Sequence, residues 1–100
     1  MIKSINKNTN EKNLLIEIDR ISSIVKSYYS HPNFSKNEKE ILYTVLEEYS
    51  FSDAFKPATV FGMPSLMVLK KDITESRRSL TNIINDLNKL IDFLNLILNV

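Results

Sequence analysis

The sequence predicts an all-α fold, a small antiparallel bundle of three helices with the long C-terminal helix as its spine, or of four if that helix breaks near Ser76–Ser79. Three observations predict it. From Leu66 onward, a seven-residue frame places Leu66, Ile73, Leu80, Leu87 and Leu94 at one core position. The other core position takes Leu69, Ser76, Ile83, Leu90 and Ile97, with Ser76 the single polar intruder. Earlier in the chain, Leu14, Ile18, Ile21, Val25 and Tyr28 recur at alternating spacings of four and three, one stripe of an amphipathic helix. Finally, one Gly and three Pro in 100 residues are too few for the tight turns of an all-β domain.

Residues 1–8 are polar and expected to be flexible, with Ile2 and Ile5 touching the bundle. The first helix is expected over about 9–30. Thr9 or Asn10 serves as its N-cap, and Glu11 lies where the helix dipole favours negative charge. Pro32 ends it near Ser30, because the residue before a proline is pushed out of helical geometry. Ser35 and Glu38 have capping-box spacing and open a second helix over 36–51, with Ile41, Leu42, Val45, Leu46 and Tyr49 on its apolar face. Residues 51–64 are irregular yet rich in aromatics, and are expected to fold over the end of the bundle. Within them a short extended piece at 58–61 lacks an obvious partner. The sharper reading of this stretch is an exposed aromatic anchor for a partner, formed by Phe55 and Phe61. Gly62 suits a positive φ and Pro64 the first turn of a final helix over 64–98.

That last helix would be about 50 Å long, against about 30 and 22 Å for the first two. It therefore overhangs each of them. A break near Ser76, where the polar run from Thr74 to Ser79 interrupts the seam, would remove the mismatch, but no Gly or Pro stands there and a continuous helix is expected. The surplus apolar face, Leu87, Leu90, Ile91, Leu94, Ile97 and Leu98, is then expected to pair two copies into a homodimer.

Size and 43% hydrophobic content suit one domain with a modest core. A net charge of +1 supplies no general reason for nucleic-acid or membrane-surface attraction. Absence of Cys excludes disulfides and thiolate metal sites and is compatible with a cytoplasmic location, which is expected. The N-terminal residues lack the apolar core of a signal peptide. Asp86, Lys89 and Asp92 interrupt the one stretch resembling a membrane span. Richness in Asn, Lys and Ile fits a bacterial or phage source with AT-rich coding.

No catalytic set, metal site or cofactor is expected. His31 stands alone in a loop, and the pairs Glu38/Glu40 and Glu47/Glu48 lack the spacing of carboxylate–histidine metal sites. A single glycine cannot build a phosphate loop. What remains is a basic stripe: Lys70, Lys71, Arg77 and Arg78 recur seven apart along the final helix, either as a solvated flank with Lys71–Glu75 and Glu75–Arg78 at the spacing of helical ion pairs, or, in the functional reading, as a face for an acidic protein surface. The leading expectation is a non-enzymatic interaction protein, an accessory or inhibitor that binds and neutralises or regulates a protein target. In size, lack of cysteine and helical make-up the chain resembles the immunity proteins of pediocin-like bacteriocins, a likeness of gross composition that carries no motif across. The alternative is a nucleic-acid-binding or transcription-regulatory adaptor using the same basic stripe. It is weaker because Asp72 and Glu75 dilute the field.

Overall fold

The structure, a computed structural model, describes residues 2–46, 59–60 and 62–98, and its all-α helical bundle agrees with the fold class expected from sequence. Helix α1 spans Glu11–Ser27. Its N-cap is Asn10, whose side-chain oxygen accepts the Asn13 N–H at 2.8 Å. Thr9 instead closes the preceding turn, with both its N–H and its hydroxyl donating to the Asn6 carbonyl at 3.0 and 2.7 Å. A 3-10 turn at Tyr28–Ser30 follows, and His31 ends it in extended geometry, as the proline after it requires.

Helix α2 spans Lys36–Leu46, opened by the expected reciprocal cap: Glu38 N–H donates to Ser35 Oγ, and Ser35 N–H to the Glu38 carboxylate, each at 3.2 Å. The expected continuation to residue 51 lies outside the described residues. Thr59–Val60 (β1) pairs antiparallel with Met63–Pro64 (β2), so the extended piece near 58–61 has its partner just across Gly62, whose φ is +84°. Pro64 thus belongs to β2. The next helix is started by Ser65, a fully buried side chain that accepts the Val68 N–H at 3.3 Å.

The expected continuous final helix is two helices, α3 over Leu66–Thr74 and α4 over Leu80–Leu98. Its break has a definite geometry. The Arg77 N–H donates to the Asp72 carbonyl at 2.9 Å, and the Ser76 N–H to the Ile73 carbonyl at 3.2 Å. These are the two bonds of a Schellman C-cap, with Ser76 in the left-handed position at φ +52° where glycine is usual. Ser79 then caps α4, accepting the Asn82 N–H on its hydroxyl at 3.3 Å and the Ile83 N–H on its carbonyl at 3.1 Å. The folded chain measures 37 Å along its longest axis, shorter than a straight helix of about 50 Å would be.

Folding back in this way consumes the apolar surplus. Helix α1 packs against α2 and α3, and α3 against α4. The core joins Leu14, Ile18, Ile21 and Val25 of α1 with Leu42 and Val45 of α2, Leu66, Leu69 and Ile73 of α3, and the α4 seam. Among the residues expected to form a dimer face, Leu87, Leu90, Ile91 and Leu94 are fully buried inside a single chain, Leu98 is 5% exposed and Ile97 is half-buried. The break at Ser76 supplies intramolecular neighbours that the straight helix lacked, so Leu87, Leu90, Ile91, Leu94 and Leu98 are core rather than interface, and half-buried Ile97 packs at the edge of that core. Leu96, 78% exposed, is the apolar side chain that end of α4 leaves in solvent. Among the described residues no helix is long and apolar enough to cross a membrane.

Ile2 and Ile5 complete the core from a third direction. They touch the bundle as expected from sequence, and both are buried.

Candidate functional site

The basic stripe does not survive the break. Lys70 and Lys71 sit on α3, whereas Arg77 and Arg78 lie in the α3–α4 connection and share no helical face with them. Lys70 Nζ pairs with Asp19 of α1 at 3.0 Å, tying two helices together. Arg77 reaches Glu75 at 2.9 Å, and the Arg78 guanidinium reaches Asp86 of α4 at 2.5 Å. Both arginines also flank Asp72, a buried acid on α3, with nitrogen–oxygen distances of 4.0 Å from Arg77 and 3.7 Å from Arg78. Lys70, Arg77 and Arg78, expected to face a partner, are therefore matched by carboxylates of the same chain. Glu75, expected to pair with Lys71 and Arg78 along a helix, sits in the turn and pairs with Arg77. The physical function of this cluster is to fasten the α3–α4 corner: Asp72 supplies its backbone carbonyl to the Schellman cap and its carboxylate to the arginines that follow. The proposed anchor residues Phe55 and Phe61 lie outside the described residues.

A second grouping arises where the 3-10 turn meets α2. Tyr29 from the turn and Tyr43 from α2 lie with ring centroids 6.4 Å apart and planes tilted by 34°. With Lys36, Lys39 and Glu40 they line an open, mainly apolar cleft of about 440 Å³. The capping box sets this arrangement by fixing where α2 begins. Lys36, Lys39, Glu40 and Tyr43 follow at spacings of three, one and three, which puts them on one side of the helix. In the same α1–α2 connection, exposed His31 stacks on Tyr28 at 6.1 Å and meets Phe34 edge-on at 5.7 Å, while its Nδ1 accepts the Asn33 N–H at 3.3 Å. The ring is thus part of an aromatic cluster that stiffens the α1–α2 connection. Among the described residues no group of three or more His, Asp or Glu could hold a metal ion.

The third grouping was not anticipated. Asn88 of α4 makes two bonds to the main chain of Ile5, accepting its N–H at 2.7 Å and donating to its carbonyl at 3.1 Å. Seven residues on, Asn95 does the same to Ile2 at 2.8 and 2.9 Å. Both amides are half-buried at the edge of the apolar seam. The signal in the sequence was two asparagines a heptad apart beside core leucines, where a solvated helix face gives them no special role.

No family model matches this chain, and neither curated proteins nor solved structures yield a match.

Proposed function

We propose that this chain is a non-enzymatic protein-binding module, a small accessory or inhibitor of immunity type that neutralises or regulates a protein target. It engages that target through the Tyr29–Tyr43 cleft. The observation that supports this reading is the cleft itself: two tyrosines, the residue type that dominates binding hot spots, wall an open apolar depression at a rigidly capped corner. Lys36 and Lys39 on its rim select for chemistry. The fitting partner presents an apolar or aromatic side chain flanked by acidic groups, and the lysines speed its approach more than they tighten the complex.

The test is affinity capture from an extract of the source organism with three baits: wild type, Tyr43→Ala, and the double variant Lys36→Glu/Lys39→Glu. A genuine target is retained by wild type and lost by both variants while circular dichroism shows them folded. Truncating a hot-spot tyrosine costs about 2 kcal/mol or more, roughly a thirtyfold loss of affinity. A partner retained equally by all three baits would place the binding surface elsewhere.

A further inference from the structure

We propose that the edge of α4 marked by Asn88 and Asn95 is a binding site for an extended segment of a partner protein, with residues 2–5 as its resident occupant in cis. The segment is read through its main chain and carries aliphatic side chains at two positions three residues apart. This surface is separate from the Tyr29–Tyr43 cleft and does not rest on it.

The resident arm shows what the site recognises. All four bonds from the two asparagines go to main-chain N–H and C=O groups, which every residue except proline presents. Side-chain demand is limited to Ile2 and Ile5, both buried, while Lys3 and Ser4 between them are exposed. The spacing is a match of two periods. Seven residues of α-helix rise about 10.5 Å, and three residues of extended chain span about 10 Å, so each asparagine meets an equivalent position of the bound chain. Polarity is set as well: Ile2 lies at Asn95 and Ile5 at Asn88, so the occupant runs antiparallel to α4.

Two further observations support an exchangeable arm even though its isoleucines belong to the core. The turn that follows it is closed by its own bonds, from Thr9 to the Asn6 carbonyl and from the Asn8 N–H to the Asn6 side chain at 2.8 Å, so the arm can lift while the turn keeps its shape. Beside it, Ser4, Asn6, Asn8 and the first turns of α1 border an open polar cleft of about 340 Å³, which leaves the arm unpacked on that flank.

The test uses the full chain and a fluorescent peptide with the sequence of residues 1–8 as probe. Ile2→Ser/Ile5→Ser frees the site, and this variant binds the probe at least about tenfold more tightly than wild type, whose own arm competes at the effective concentration of a short tether. Changing the probe's positions 3 and 4, or replacing its isoleucines with leucine, leaves binding within about threefold. Methylating the two amide nitrogens, or adding Asn88→Leu/Asn95→Leu to the freed variant, lowers it by about tenfold or more. A folded, freed variant that fails to bind the probe at about 1 mM, the scale of that effective concentration, would overturn the proposal. So would indifference to amide methylation. Wild type provides a readout that needs no variant: the Ile5 amide should exchange with deuterium about a hundredfold faster than those of Leu87 and Leu90, because the arm opens locally. Equal rates would mean the arm opens only when the whole bundle unfolds, which closes the site to any partner. A wild-type dimer that grows with concentration and is abolished by Asn88→Leu would assign the site to a second copy's arm and overturn the partner assignment.

Discussion

Ser76 provides a substitution whose sign reports the architecture. In the folded chain it holds φ at +52°, a conformation that costs a residue with a side chain about 1–2 kcal/mol and glycine almost nothing. Glycine in turn adds freedom to the unfolded chain, worth about 0.5–1 kcal/mol against the native state. The difference leaves Ser76→Gly stabilising by about 0.5–1 kcal/mol. For a domain of this size that corresponds to a rise of about 2–8 °C in the unfolding midpoint. Both Schellman bonds come from main-chain groups, so the substitution keeps them. Thermal and urea unfolding followed by circular dichroism would measure the change, with an unaltered urea slope showing that the unfolded state's exposure is the same. A straight helix from 66 to 98 predicts the reverse. There, glycine would lower stability by up to about 1 kcal/mol, and Ser76→Leu would raise it by completing the heptad seam. In the folded chain Ser76 is exposed, and a leucine there keeps the strain and buries nothing. A lower midpoint for Ser76→Gly together with a higher one for Ser76→Leu would refute the broken-helix account.

Three further substitutions test the packing. Asp72→Ala removes the buried carboxylate but spares the backbone cap, and it leaves Arg77 with Glu75 and Arg78 with Asp86; urea unfolding should show a loss of about 1–2 kcal/mol, below the cost of stranding a fully buried charge. Leu90→Ala should cost about 2–5 kcal/mol in the same assay, with no change in molar mass by light scattering, since Leu90 is core within one chain; a mass that falls by half at unchanged folding would restore the dimer face. Ser35→Ala removes half of the reciprocal cap on α2 and should lower stability by about 1 kcal/mol, read as a lower midpoint in thermal unfolding.

The parts of the fold legible in sequence were those governed by local physics. The seam of α1 and the Ser35–Glu38 cap needed only helical periodicity and side-chain reach, and both stand in the structure as read. The C-terminal break was half legible. Ser76 was visible as a fault in the seam, but the heptad continued on its far side in phase, and no glycine signalled a left-handed residue. A serine can take that conformation at a modest cost, and the cost is met by joining two helices whose apolar faces would otherwise overhang their neighbours. The basic stripe failed for the same reason, because residues seven apart share a face only while one helix connects them. Ser79 carried a usable signal: a serine immediately before an apolar-periodic run is an N-cap, and reading it so would have started a new helix at Leu80.

Asn88 and Asn95 mark a different limit. Periodicity assigns polar residues near a seam to the solvated side, because it counts burial and cannot see what crosses the helix from elsewhere in the chain. Their partners lie 83 and 93 residues away and are main-chain atoms, which no pattern of side chains encodes. What the sequence does contain is a coincidence of periods, isoleucines three apart at one end and asparagines seven apart at the other. These agree in length only if the first segment is extended and the second helical. Such a pairing is also undemanding of the extended partner. It fixes that chain's direction and two of its side chains and leaves the two between them exposed, which is the ground for proposing that the clamp also accepts another protein's strand.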